Sequence, residues 1–185
     1  MRKKQKIFDN FHSQLDLPFL ETDEAFLKNI FETLRTNFNL TKKSNQIFID
    51  LGSGNGSVVI YAALNYNIKS NGIEINQTLV REAKNRKKSL SKEGIYEKWI
   101  IKKIKFKLGD FFSYNLKKYD FIYIYSLPSM QKYLRHVFNT AKRGAIIISH
   151  KYNLENFSPN LKFEHELAHK KGKDLFFTFF YKKIA

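Results

Sequence analysis

Phe48-Ile49-Asp50-Leu51-Gly52-Ser53-Gly54-Asn55-Gly56 joins a short apolar run ending in a carboxylate to a turn with glycine at every second position. A helical pattern follows from Ser57 to Leu64. Strand, glycine turn and helix N-terminus in that order let a backbone approach a nucleoside closely. Further along, the apolar run Gly72-Ile73-Glu74-Ile75 carries Glu74, whose two oxygens are placed to accept from the two hydroxyls of a ribose. The pair points to a nucleoside cofactor held at the mouth of a parallel sheet.

Which nucleoside it is turns on Asp50. The dinucleotide fingerprint is G-x-G-x-x-G, but here glycines stand at 52, 54 and 56 and Ser57 takes the third fingerprint position. A carboxylate just before the loop repels a pyrophosphate and attracts an ammonium. The form D-x-G-x-G-x-G therefore suits S-adenosylmethionine, which carries an ammonium and a sulfonium and no phosphate, and argues against NAD or FAD. A third acid, Asp110, follows the strand-like run Ile104 to Leu108, where its carboxylate is expected to accept from the adenine amino group, with the Phe111 amide beside it. Tyr119 to Tyr125 reads as a buried fourth strand ending in Ser126-Leu127-Pro128. The expected cofactor set is thus Asp50, Gly52, Ser53, Gly54, Gly56, Glu74, Ile75, Asp110, Phe111 and Ser126, with the acids at 50, 74 and 110 on one rim. Trp99 reads as an anchor for the insertion around it.

With these motifs the chain resembles the class I (seven-β-strand) S-adenosylmethionine-dependent methyltransferases. Pro18-Phe19-Leu20-Glu21-Thr22 and the segments 121–134 and 145–153 are similar to the archaeal protein lysine methyltransferases and their relatives acting on the mitochondrial ATP synthase c-subunit. The glycine loop and the basic stretch after Glu74 also resemble the nucleosomal lysine methyltransferases that lack a SET domain. One departure is visible: the family's "PYVPTP" segment is represented here by "PFLETD" at 18–23. The resemblance implies a Rossmann-like, seven-stranded, mostly parallel sheet and transfer of methyl groups to protein lysine side chains. It implies a helical lead-in and lid over 1–40, with Phe19, Glu21 and Thr22 at the substrate entrance, and one methyltransferase domain over 41–185.

The residue pattern agrees with such an α/β fold. Ala25, Phe26, Ile30, Phe31 and Leu34 lie at helical spacing behind the caps Thr22 and Asp23, and Asn76 caps a helix running to about Leu90. Ile95 to Ile101 reads as a short helix or an insertion, and Ser129 opens a helix with Leu134, Val137 and Phe138 on one face. Arg143-Gly144 leads into a buried fifth strand over 145–150, and Leu161 to Leu167 with Leu175 to Tyr181 forms a terminal antiparallel hairpin. Alternating strands and helices place helices on both faces of the sheet.

Methyl transfer to lysine needs an aligned, deprotonated amine more than a strong base, because a desolvated channel beside a sulfonium lowers the amine pKa. Tyr125, Ser126, Leu127 and Pro128 end the fourth strand, beside the methyl group in this fold. Pro128 fixes the backbone so that the Ser126 and Leu127 carbonyls face the amine, and the Tyr125 ring offers a wall for a cation; Tyr125 alternates with Tyr123, so core is its other reading. His150, at the end of the next strand, either positions the substrate, sheds a proton from it, or is a hydrogen-bonded structural residue. Ser-Leu-Pro-Ser at 126–129 lacks the side-chain amide of the Asn-Pro-Pro-Tyr motif that clamps planar amino groups.

Composition bounds the rest. The 185 residues fit one domain, 43% of them are hydrophobic, and the absence of cysteine excludes disulfides and thiolate sites. His12, His136, His165 and His169 fall at no metal-ligand spacing, so no metal is expected. No apolar region follows the basic start Met1 to Lys6, and no stretch approaches the ~18 residues that span a bilayer, so a cytoplasmic protein is expected. The net charge of +16 reads either as a field for an acidic partner or as compositional drift. Eleven basic residues against three acids between Arg81 and Lys107 favour a basic face, and with it the alternative of an RNA or DNA methyltransferase.

Overall fold

A computed structural model describes residues 20–131, 133–154 and 159–185. Seven strands form one sheet: β1 (Ile47–Leu51), β2 (Lys69–Glu74), β3 (Ile104–Leu108), β4 (Phe121–Ile124), β5 (Ile146–His150), β6 (Leu161–Lys171) and β7 (Asp174–Lys183). Their order is β3-β2-β1-β4-β5-β7-β6, with the first five parallel, β7 antiparallel to β5, and β6 antiparallel to β7. The sequence order doubles back between β1 and β4, which opens a crevice at the carboxyl ends of the central strands.

Helices cover both faces because the strands alternate. In β1, Phe48 joins a core with Phe31, Tyr123, Ile148 and Phe180, while Ile49 and Leu51 join another with Ile122, Ile147, Val137 and Phe138. Helix α1 (Glu24–Asn37) begins where the Asp23 side chain accepts from the Ala25 amide, and it buries Phe26, Ile30, Phe31 and Leu34 in the first core. Fully burying an apolar side chain of this size contributes about 1.5–3 kcal/mol. Helix α2 (Ser57–Tyr66) lies in the same layer, and its Val59 and Ala63 reach a smaller cluster with Ile104. Helix α3 (Gln77–Glu93) starts at Asn76, whose side chain accepts from the Thr78 and Leu79 amides, and ends at Gly94. Only Val80 and Ala83 of α3 are buried; Lys87 is half-buried and donates to the Ile104 carbonyl, and the other basic residues of the helix face outward. The short α4 (Lys98–Ile101) follows.

Two elements differ from expectation. The fourth strand stops at Ile124 and begins at Phe121, because the Tyr119 amide turns back to the Leu116 carbonyl and Tyr125 departs into the crevice. The helix expected from Ser129 is two short ones, α5 (Pro128–Gln131) and α6 (Arg135–Asn139). Between them the Tyr133 and Leu134 amides bond three residues back, to Met130 and Gln131, which tightens the turn and buries Leu134. Among the described residues no helix is long and apolar enough to cross a membrane.

Gly56 sets the angle at which α2 leaves the loop. Its φ is +82°, and a Cβ there would strike the Phe106 ring and sit 3.0 Å from the Ala83 Cβ. Replacement by alanine is therefore expected to destabilise the fold by about 2 kcal/mol, roughly 4–8 °C in Tm. Thermal denaturation of Gly56→Ala checks this; an unchanged Tm would show that α2 and β3 pack less closely than described.

Candidate functional site

A cavity of about 590 Å³ opens at the carboxyl ends of β1, β2 and β4. Asp50, Gly52, Ser53, Glu74 and Ile75 line it from the first two strand ends, and Tyr123, Tyr125, Ser126, Leu127 and Met130 from the fourth. Leu20, Glu21, Thr22 and Phe111 complete its sides.

Asp50 is 3% exposed and sits in register between Gly72 and Tyr123. Burial, and then the Glu74 charge, push its carboxyl well above the usual carboxylate range. None of the ion pairs among the described residues reaches it. A buried acid in this state either holds a proton or calls for a cation from outside the protein.

Glu74 is also buried, but it is fully engaged with the backbone. Its Oε2 accepts from the Gly54 amide and its Oε1 from the Asn76 amide, both at 2.9 Å. One side chain thereby joins the glycine loop to the start of α3, and each oxygen retains a lone pair for a ligand hydroxyl. The Gly52 and Ser53 amides donate to the Ile73 carbonyl, which draws the loop onto β2. That approach is open because residue 72 is glycine; a Cβ there would collide with Ser53. Gly54 and Gly56 shape the loop rather than line the cavity.

Asp110 stands back from the cavity. Its Oδ1 accepts from the Phe112 amide at 2.8 Å, starting the 3-10 turn Phe111–Ser113, and the Phe111 side of that turn is what lines the site. The exposed Trp99 lies away from it, with the Lys103 ammonium 5.0 Å from its ring centre.

The segment before α1 closes one side. Glu21 Oε1 accepts from Asn55 of the glycine loop at 3.2 Å and from Arg86 of α3 at 3.4 Å, and Asp23 accepts from Lys171 of the hairpin at 2.8 Å. Between them the buried Thr22 and Tyr123 hydroxyls bond at 2.8 Å. The exposed pairs add little, and the buried hydroxyl pair is the anchor. Phe19 lies outside the described residues.

On the fourth-strand side, Tyr125 lines the cavity and the buried Ser126 hydroxyl has no partner among the described residues. The Leu127 carbonyl differs from expectation: it accepts from the Met130 and Gln131 amides at 3.0 and 3.2 Å. Pro128 occupies the first position of α5, where proline favours a helix start, and that start claims the preceding carbonyl. Pro128 itself is exposed. His150 is buried behind Tyr125, its ring centre 5.0 Å away and edge-on, and it is not a lining residue. Burial lowers its pKa to about 4, so the ring is neutral at physiological pH. Tyr123 and Met130 had no assigned part in the sequence reading. The period-two alternation Phe121, Tyr123, Tyr125 was the signal for Tyr123, since it places all three on the Asp50 face.

Comparison with known proteins finds a family model described as "ANTKMT methyltransferase domain" matching residues 50–161. A protein-lysine N-methyltransferase of Saccharolobus islandicus (strain REY15A) is 25% identical over 145 residues, covering 77% of this chain and 81% of that protein. Among solved structures, an RNA methyltransferase from Salinibacter ruber in complex with S-adenosyl-L-homocysteine superposes with a TM-score of 0.67 at 22% identity, over 87% of this chain and 93% of that one. A magnesium protoporphyrin IX methyltransferase from Synechocystis PCC 6803 with bound S-adenosylmethionine gives 0.64 at 14% identity, over 86% and 78%. At these identities the two structures speak for the fold.

The buried Asp50 makes a prediction that needs no ligand. A carboxyl whose folded pKa is raised weakens the fold once pH exceeds its unfolded pKa, because the unfolded chain ionises first. Asp50→Asn should stabilise the fold and raise Tm at pH 8, and change it little near pH ~3, where the acid is largely protonated in both states. Calorimetric melts at the two pH values check this, and equal shifts would mean that the charge is not the cause.

Proposed function

The chain belongs to the ANTKMT methyltransferase domain family, and from that premise we propose that it methylates protein lysine side chains using S-adenosylmethionine. The observation that carries the cofactor reading is Asp50, a buried carboxylate with no cationic partner, in a loop whose acid repels phosphate and attracts an ammonium. Asp50 would hold the cationic amino-acid end of the cofactor, Glu74 its ribose, and Ile75 and Phe111 the flanks of its base. When bound, the cofactor supplies a methyl group already activated by a sulfonium.

The protein's own part is to orient an amine and keep water away. Tyr125, Leu127 and Met130 form a largely apolar wall around the unpartnered Ser126 hydroxyl. An ammonium entering such a wall loses hydration, which lowers its pKa and favours the free amine. The Ser126 hydroxyl is a buried side-chain acceptor there with no partner among the described residues. The lysine reading is supported by the similarity to the archaeal protein-lysine N-methyltransferase and by Ser126-Leu127-Pro128-Ser129 at the strand end, which offers no side-chain amide.

Incubation with radiolabelled cofactor and either a lysine-rich protein mixture or total RNA tests the proposal. Label is expected as methyl-lysine after protein hydrolysis; label only in RNA that survives protease would overturn the lysine reading in favour of a nucleic acid acceptor on the basic 81–107 face. In calorimetry, Asp50→Ala should weaken S-adenosylhomocysteine binding by on the order of 100-fold, whereas Tyr125→Ala should leave binding within about threefold and lower kcat. Equal loss of binding in both would show the acceptor side to be misplaced. Because a raised Asp50 pKa stores a proton that a cationic ligand displaces, affinity should rise with pH, by up to about tenfold per unit. Titration in buffers of different ionisation enthalpy reads the proton released; none would rule out this linkage.

A further inference from the structure

Behind the Tyr125 wall, three side chains from three strands meet at one hydroxyl. His150 ends β5, Thr178 lies opposite it in β7, and His169 comes from β6. Thr178 Oγ1 is 2.8 Å from His150 Nδ1 and 2.9 Å from His169 Nε2. All three residues are buried, with Thr178 fully so. The ring of Phe26 from α1 stacks on His169 at 4.6 Å, and His150 meets Tyr125 edge-on at 5.0 Å. Neither Thr178 nor His169 lines the cavity.

A hydroxyl has one hydrogen, so at most one of the two ring nitrogens accepts from it. The remaining atom that decides the direction is His169 Nδ1, which is buried and has no partner among the described residues. A buried N–H without an acceptor is rarer and costlier than a bare lone pair. His169 therefore carries its proton on Nε2 and donates it to Thr178, and Thr178 donates to His150 Nδ1. His150 is left with its proton on Nε2. Burial disfavours a charged form of either ring, which fits a chain of neutral groups.

From this geometry we infer that His169 and Thr178 are positioning residues: their one-directional relay fixes the tautomer and tilt of His150, which in turn holds Tyr125 as the wall of the acceptor channel. The inference deepens the proposed lysine methylation and rests on it for its catalytic consequence only. Rotation of the His150 ring would release the edge-to-face contact and let the Tyr125 ring turn into the channel, where a displacement of about 1 Å is enough to slow an in-line transfer.

Nitrogen-15 NMR of the full chain reads the tautomer directly. The expected result is an unprotonated Nδ1 on His150 in the wild type and in Thr178→Ser, and loss of that signature in Thr178→Val. A protonated Nδ1 in the wild type would overturn the relay. With carbon-13-labelled tyrosine, the Tyr125 ring signals should shift in Thr178→Val and return in Thr178→Ser; unchanged signals would overturn the positioning role. Both readouts need no methyl transfer, so they fail separately from the lysine proposal. With a methylated acceptor in hand, Thr178→Val should lower kcat roughly tenfold or more while S-adenosylhomocysteine affinity stays within about threefold, and serine should restore it. If Thr178→Val does not fold, His169→Gln and His169→Leu replace it. The glutamine amide can still donate to the hydroxyl and should keep turnover and the His150 signature, and leucine should lose both; equal behaviour of the two would also overturn the relay.

Discussion

Glu74 accepts from Gly54 and from Asn76, and the site is assembled around that fork. Two amides belonging to different elements would otherwise be left without acceptors in a buried place, which a folded chain avoids. By taking both, one carboxylate fixes the height of the glycine loop above β2 and the point at which α3 begins. The loop in turn rests on a strand that has no side chain at position 72, so that Ser53 can lie against the backbone. The geometry that receives a ligand is therefore the geometry that closes the fold, and an aspartate at 74, one carbon shorter, could not span both amides.

Asp50 shows the opposite economy. No cation among the described residues pairs with it, and its burial, with the Glu74 charge beside it, works against ionisation. Strain of this kind is retained where a partner arrives later, and the adjoining elements carry the stability instead. Phe48 and Ile49, which precede it on opposite faces of β1, are both fully buried and anchor the strand in the two main cores. A carboxylate at the end of so firmly held a strand cannot swing out to water. Rigidity there keeps the carboxylate desolvated, which is the basis of the proposed preference for a positive charge.

The cofactor side was legible because its determinants are local. Asp50 and Glu74 end apolar runs, the glycines punctuate the loop, and a reader needs only strand periodicity to place them. Asp110 shared that signal, yet an aspartate before Phe111-Phe112-Ser113 also suits a side-chain cap, and the nearby amide claimed its oxygen first. Leu127 was misread for a similar reason: proline at a helix start binds the preceding carbonyl into the helix, and the local rule outweighed the functional one. The acceptor side was scarcely legible. Thr22 and Tyr123 are 101 positions apart, and His150 and Thr178 are 28 apart. His169 read as solitary, since strand spacing does not bring it to His165; it meets His150 only across the register of the hairpin. Non-local pairings of this sort are created by the sheet and leave no mark on a single stretch of residues.

The attachment of residues 21–23 has a consequence for where the molecule ends as a working unit. Glu21 grips the loop, Thr22 the central strand and Asp23 the distal hairpin, so this short span ties together three separate parts of the fold. Trimming the chain to the first turn of α1 would remove no member of either main core. It would also expose the Tyr123 phenol and unroof one flank of the crevice. Integrity of the hydrophobic interior is thus a poor guide to competence here, and a minimal version chosen by melting behaviour alone would begin a few residues too late.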